Sequence, residues 1–462
     1  MKKLTYLLFA LFASFVFVSC ETVKPTILDV NSGNPKWIID GNIYEVNIRQ
    51  YTSEGTFNAF ENHLDRLKEM GVQTLWFMPI QPISVKDRKG TLGSYYAIAD
   101  YTAINPEFGN LDDWKKLVKT AHSKGFKVII DWVANHTGAD HRWLIQHPDF
   151  YVKDANGKAV SPFDWTDVRK LDYSNKKLRE LMIASMKFWI DQSDIDGFRC
   201  DVAGEVPDDF WVESIVQLKR TKSDIFMLAE GDKPSLNKAG FNATYGWPMF
   251  VKMKNIAVGA APASDLDSVH AKNDSTFPKN ALFLNFTSNH DENSWNKADF
   301  ATMPGASHTP FSVYTFLADR TVPLIYSGQE EPILRALSFF EKDSIVFENY
   351  QRKDFYKKMI SLRKTHPCLA SDATYRSVKI GDDKFLYSFV REKEGRKVFV
   401  LLNFSDHPEI VNVTDSSLYG TPLNILKGTN EIINDVSFMM QPWGYAIYDY
   451  VLPSKADGKK ED

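Results

Sequence analysis

The chain has 462 residues, 44% of them hydrophobic, and a net charge of −4. A length and apolar content of that order build a large core with room for a second, smaller domain, and exclude a disordered or fibrous chain. Lys and Arg are scattered rather than clustered, which leaves no footprint for nucleic acid and suits an uncharged substrate.

Residues 1–20 open with Lys2 and Lys3, run apolar from Leu4 to Val18 and end at Ser19-Cys20. Such a run is short for a membrane span, which needs about 20 residues, and reads as a targeting signal. Ser19-Cys20 resembles the lipobox of bacterial lipoproteins, in which Cys20 becomes the lipidated first residue of the mature chain. Phe17 departs from the Leu preferred there, so ordinary secretion is the alternative. The resemblance implies export and a lipid anchor in a bacterial membrane, with the outer membrane expected, on its periplasmic or surface face. Residues 21–36, with Pro25, Asn31, Gly33 and Pro35, read as a tether. Only Cys200 and Cys368 remain after Cys20, which excludes a disulfide scaffold.

From Gly41 the chain alternates short β-rich runs with amphipathic helices. Residues 42–51 read as a first strand. Residues 57–70 carry Phe60, Leu64 and Leu67 at helical spacing and are closed by Gly71. Residues 74–80 form a nearly all-apolar second strand of the kind buried on both faces. Asn110 caps a helix that ends at Gly125, and residues 127–133 are strand three. Residues 138–168, rich in His, Asp, Pro and Trp and without periodicity, read as an insertion. A helix over 175–192, strand four at 196–203, a helix over 209–222 and strand five at 225–230 follow. Strands six to eight fall near 243–247, 281–287 and 322–326, before a closing helix at 355–363. Strand and helix in this order predict a (β/α)8 barrel over 37–368, with an open doubly wound sheet as the alternative. Residues 369–452 alternate without a helical stripe and predict an antiparallel β-sandwich domain. Residues 453–462 form a frayed tail.

In a barrel, catalysis sits at the carboxyl ends of the strands. Those ends supply Asp131, Asn135 and His136 after strand three, Arg199 and Asp201 on strand four, Glu230 on strand five, and His290 with Asp291 after strand seven. Clustered acids repel and raise one another's pKa values, a cost that an active site uses and a stable core avoids. Glycosidic cleavage needs one carboxylic acid to protonate the leaving oxygen and one ionised carboxylate as nucleophile or base. Arg199 is expected to lower the pKa of Asp201 and keep it ionised as the nucleophile. The apolar approach Met227-Leu228-Ala229 is expected to favour neutral Glu230 as acid/base. Asp291 beside His290 is expected to stabilise an oxocarbenium-like transition state.

Asp131-Trp132-Val133-Ala134-Asn135-His136, Gly197-Phe198-Arg199-Cys200-Asp201, Glu230 and Asn289-His290-Asp291 resemble, in order and spacing, the four short motifs of the α-amylase superfamily, glycoside hydrolase family thirteen. The resemblance spans residues 37–451. It implies a retaining mechanism with Asp201, Glu230 and Asp291 as catalytic residues, and Arg199, His136 and His290 as binders of the reacting sugar. Tyr96, four residues before Asp100, falls where the family places a stacking Tyr. The insertion at 138–168 corresponds to the family's domain B, and Lys170-Leu171-Asp172-Tyr173 to its fifth motif. Many α-amylases carry Lys-His shortly after the nucleophile, where this chain has Gly204-Glu205. Calcium through Asn135 is therefore left open, since such an ion takes about six to eight oxygens. The expected substrate is an α-1,4-linked glucan: starch, glycogen or maltooligosaccharides. Residues 201–206 with Phe210-Trp211 resemble neopullulanases and cyclomaltodextrinases more closely, so a hydrolase or transglycosylase of that kind is the alternative. A glucan-binding lipoprotein without chemistry is the reading of another class. A monomer is expected.

Overall fold

The computed structural model describes residues 33–297, 303 and 305–451. Cys20, most of the tether and the tail from Pro453 lie outside the described residues. Eight parallel strands close into a barrel: β1 (Ile43–Val46), β2 (Thr74–Phe77), β3 (Lys127–Val133), β6 (Gly197–Asp201), β7 (Phe226–Ala229), β8 (Ala243–Tyr245), β9 (Leu282–Asn285) and β10 (Thr321–Tyr326). Their order around the barrel is β1-β10-β9-β8-β7-β6-β3-β2. The missing members of that series, β4 (His136–Gly138) and β5 (Val168–Lys170), pair antiparallel and bracket the inserted segment. The open doubly wound sheet is thereby excluded.

Local chemistry explains most of the boundaries. Asn110 accepts from the backbone of Asp112 and Asp113, while the Asp113 carboxylate returns to the Asn110 N–H. This capping box starts the helix Leu111–Ser123. Gly71 ends the helix Leu64–Met70 in the left-handed conformation, at φ 93°. Two expectations need correction. The first strand stops at Val46, because Ile48–Tyr51 turn into a short buried helix. The helix expected over 57–70 is two pieces, Phe57–Glu61 and Leu64–Met70.

Beyond the closing helix Lys353–Thr365, six strands form an antiparallel sheet. They are β11 (Thr374–Ser377), β12 (Leu386–Lys393), β13 (Arg396–Asn403), β18 (Tyr445–Val451), β15 (Leu423–Asn424) and β16 (Thr429–Asn430). A two-stranded ladder, β14 (Glu409–Val411) with β17 (Phe438–Met440), packs with it around Val411, Leu418, Ile433 and Met440. Buried arginines tie this domain to the barrel. Arg391 donates to the carbonyls of Leu317 and Ala370 at 2.7 Å each, and Arg363 to those of Phe316 at 2.8 Å and Leu369 at 3.1 Å. Supplying donors to otherwise orphaned carbonyls makes such contacts costly to lose. Among the described residues no helix is long and apolar enough to cross a membrane.

Candidate active site

Arg199 is the centre of the site. On β6 its side chain points into the barrel, fully buried, and its planar fork reaches three carboxylates. Nη1 lies 2.9 Å from Asp131 Oδ1 and 3.1 Å from Asp201 Oδ1, and Nη2 lies 3.0 Å from Glu230 Oε1. Nε donates to the Tyr245 hydroxyl at 3.1 Å, and the guanidinium stands over the Trp76 ring. Residues i and i+2 share a strand face, which is why Arg199 and Asp201 meet.

The backbone turns sharply where β6 ends. Val202 has φ 37°, a left-handed conformation that a β-branched residue rarely adopts. The turn directs the Val202 N–H to Glu230 Oε2 at 2.7 Å, so local strain, of the order of 1–3 kcal/mol, is spent on fixing a carboxyl. Nearby, Lys233 Nζ donates to the Gly204 carbonyl at 2.8 Å. A cation thus stands against the Gly204-Glu205 segment from a different part of the chain.

Around the far wall, His290 links three elements. Its Nδ1 bonds Glu45 of β1, and Nε2 lies 2.7 Å from the Tyr96 hydroxyl and 3.3 Å from Asp291 Oδ2. Tyr96, which also donates to Asp131 at 3.1 Å, stacks on His290 with ring centroids 5.5 Å apart. His136 opens β4, with Nδ1 3.2 Å from the Asn135 amide nitrogen.

The electrostatics follow from burial and from these partners. Burial disfavours the charged His290 ring, but Asp291 and Glu45 outweigh it and raise its pKa well above the ordinary histidine value. Burial likewise opposes ionisation of Asp291, and the His290 charge overcomes it, so that this carboxyl is held below its usual range. Desolvation lowers His136 to about 3 and leaves it neutral. Asp131 is pushed up to about 6 by burial, against the pull of Arg199. Asp201 departs from the sequence expectation. Burial and the neighbouring Glu230 charge raise its pKa well above the carboxylate range, and Arg199 does not reverse this. Arg199 divides one charge among three acids, so no single acid receives the full benefit.

Tyr96, His136, Asp201, Glu230 and Asp291 all line one cavity of about 460 Å³, and Arg199 and His290 are bonded to lining residues, Arg199 to Asp201 and Glu230 and His290 to Tyr96. Asn135 is not among the lining residues. Its side-chain amide nitrogen faces His136 Nδ1 at 3.2 Å, and its backbone carbonyl takes the Leu171 N–H at 3.1 Å. Among the described residues no cluster of three or more His, Cys, Asp or Glu side chains could hold a metal ion. The donors around Asn135 do not fit a calcium ion, and no chemistry here is routed through one.

The sequence did not single out several residues of this site. Glu45 gave only a weak signal, a lone acid in the apolar run Ile-Tyr-Glu-Val. Trp165 and Asp167 enter the cavity from the inserted segment, and Trp295, Phe339 and Phe340 from loops after β9 and β10. These residues carry no periodicity, and only tertiary placement brings them together.

The model of the alpha amylase catalytic domain matches residues 31–169 and 162–336. An alpha-amylase of Haloarcula japonica is 25% identical over 409 residues, which is 82% of this chain and 57% of that relative's length. Among solved structures, an alpha-amylase of Lactobacillus plantarum superposes with TM-score 0.82 at 29% identity, covering 90% of this chain and 99% of that one. A maltogenic alpha-amylase of Thermotoga neapolitana does so with TM-score 0.82 at 28% identity and the same coverage. A closed barrel with acids collected at its carboxyl ends, and a family match over most of that barrel, lead to one conclusion: this chain belongs to the alpha-amylase family of glycoside hydrolases.

Proposed function

We propose that this protein cleaves α-1,4-glucosidic bonds with retention, and that it prefers maltooligosaccharides and cyclodextrins over internal bonds of starch or glycogen. The observation that carries the reading is the attachment of Asp201 and Glu230 to the two ends of one guanidinium. Two carboxyls so held suit the short separation of about 5–5.5 Å used by retaining glycosidases rather than the 6.5–9.5 Å of inverting ones.

Asp201 attacks the anomeric carbon while Glu230 gives its proton to the leaving oxygen. Asp291, kept ionised by His290, faces the positive charge that develops on the sugar ring. In the second step Glu230 takes a proton from water, and the hydroxide released breaks the Asp201 ester. Tyr96, Arg199, His136 and His290 hold the reacting sugar and these acids in place. Attack needs one proton on the Asp201–Glu230 pair, carried by Glu230. The repulsion that raises Asp201 keeps a proton in the pair, and Arg199, touching both carboxyls, stabilises either arrangement.

The preference for short or cyclic glucans draws on two supports: Trp165, Trp295, Phe339 and Phe340 wall the cavity, and other relatives are named maltogenic alpha-amylase, cyclomaltodextrinase and neopullulanase. We further infer a monomer held at a bacterial membrane through lipidated Cys20. Mass spectrometry of the mature N-terminus tests the anchor.

Product analysis on starch, pullulan, cyclodextrin and maltotriose tests the activity. Expected are faster turnover of cyclodextrin and maltooligosaccharides than of starch, and α-configured initial products by proton NMR. Asp201→Asn should abolish turnover while maltotriose still binds. β-configured products, or near-wild-type turnover in that variant, would sink the mechanism.

A further inference from the structure

The end of the barrel away from the acids is crossed by residues 33–39. Asn34 bridges two strand entrances: its Nδ2 donates to the Asn280 carbonyl, just before β9, at 2.8 Å, and its Oδ1 accepts from Asn242, just before β8, at 3.1 Å. The helical turn Lys36–Ile39 then passes beneath the strands. Ile38 is fully buried, the Trp37 ring meets Phe226 of β7 edge-on at 5.5 Å, and Lys127 Nζ, at the start of β3, stands over that ring at 5.5 Å. The Ile39 carbonyl accepts from the Ser371 N–H at 2.8 Å and from Arg363 at 3.2 Å. Buried packing and charge-assisted bonds hold this segment on the barrel's amino-terminal end.

At Gly33 the chain leaves that end. Gly33 is exposed and has φ 91°, a left-handed conformation that suits glycine, and no atom lies within 4 Å of where a Cβ would stand. Thirteen residues separate it from Cys20. They reach at most about 45 Å when fully extended. The helix Lys176–Ser193 leads from the insertion back to the start of β6 and has 18 residues. It therefore measures about 27 Å from the mouth to the opposite end of the barrel. The insertion and the loop after β10 stand above the mouth. A mouth turned to the bilayer would make the tether climb that height and pass those segments, which consumes most of its extension and is opposed by chain entropy. A mouth turned away leaves the tether slack.

We propose that the amino-terminal end of the barrel is the surface this protein presents to the membrane, and that the active-site mouth opens away from the bilayer. The partner is the lipid headgroup layer around the Cys20 anchor. This rests on the lipid-anchor reading above. So oriented, the acids receive a glucan from bulk solution, and the substrate never enters the gap between protein and membrane.

Lys279, 81% exposed just before β9, and Ile145, 87% exposed in the insertion, are each replaced by Cys and labelled with a maleimide fluorophore. Cys200 and Cys368 are buried and stay unlabelled. The full-length variants, matured in a bacterium that processes lipoproteins, are placed on phosphatidylglycerol vesicles that contain a headgroup-quencher lipid. With a height of about 27 Å or more between the two probes, quenching is expected to be at least about 3-fold stronger in Lys279→Cys than in Ile145→Cys. Equal quenching, or stronger quenching in Ile145→Cys, overturns the orientation. If mass spectrometry finds Cys20 unmodified, the anchor reading fails by itself. The face is then judged with a six-histidine segment in place of residues 1–20 on nickel-chelating vesicles, where equal quenching of the two probes refutes it.

Discussion

Replacing Glu45 by Gln removes a charge from behind the site with little change of shape. Glu45 is fully buried on β1, and its carboxylate bonds Nδ1 of His290. The other faces of the imidazole meet the Tyr96 hydroxyl at 2.7 Å, Asp291 at 3.3 Å and the edge-on Trp76 ring at 6.0 Å. A hydrogen bond to a charged group contributes about 1.5–3 kcal/mol and a neutral one about 0.5–1.5, so the exchange costs the His290 cation about 1–1.5 kcal/mol. Burial opposes that cation while Asp291 and Glu45 raise its pKa. The charge is therefore present below the ordinary histidine pKa of about 6.5 and is lost as pH rises through the higher folded value. Glu45→Gln should lose least near pH 5.5 and fall behind on the alkaline side, by about 5- to 10-fold in kcat/KM, as the basic limb moves to lower pH. Stability carried by the pair follows the same window. Profiles of kcat/KM from pH 5 to 9, with thermal unfolding measured in parallel, test this. Superimposable profiles for the two proteins would refute the assignment of Glu45 as the holder of His290's charge.

Glu230→Gln should lose about 10²- to 10⁴-fold in kcat on maltooligosaccharides, with a smaller loss on p-nitrophenyl glycosides, whose leaving group needs little protonation; equal losses on both would place the acid elsewhere. At the opposite end of β6, burial opposes ionisation of Asp196, but His122, Lys127 and the Val128 N–H hold its pKa low. Its contribution is present above the unfolded Asp pKa of about 3.9 and is lost as pH falls through the lower folded value. Asp196→Asn should therefore cost about 3 kcal/mol at neutral pH and progressively less below about pH 4, by urea unfolding; a deficit independent of pH would assign the loss to packing.

Periodic and capped elements were legible in the sequence, because their causes are local. Strand three over 127–133 falls where the structure has β3, and Asn110 starts its helix and Gly71 ends its own as their chemistry requires. Ile48–Tyr51 misled, because the alternation of Tyr44, Val46 and Ile48 runs into the segment, where Ile48 and Tyr51 then stand at helical spacing. Arg49 is buried there by bonds to the Leu92 and Gly93 carbonyls, a partner set more than forty residues away. The acids were legible for a similar reason, since strand ends can be counted. The partners that tune them were not: Glu45 to His290, Tyr245 to Arg199 and Trp295 to Phe339 all join residues far apart in sequence. For Asp201 even the sign of the shift was missed. The sequence puts Arg199 two residues away and the other acids at the same barrel mouth, but not the sharing of one guanidinium among three of them.

That shared charge bears on the chemistry. Among the described residues, the ion pairs of Glu45, Asp131, Asp201, Glu230 and Asp291 in this buried site are made with Arg199 and His290. An excess of buried acids over cations cannot all be ionised, and burial and Glu230 accordingly raise Asp201 while burial raises Asp131 to about 6. Had Arg199 served Asp201 alone, the proposed nucleophile would be ionised but the pair with Glu230 would have little reason to keep a proton. Dividing the guanidinium keeps the site short of positive charge, which retains the proton that the leaving oxygen needs. The same deficit favours the oxocarbenium-like transition state, whose positive charge enters the place where the site lacks one. Arg199→Lys, a single point charge in place of a fork, would break this division, because an ammonium cannot reach three carboxyls held in fixed positions on β3, on β6 and after β7.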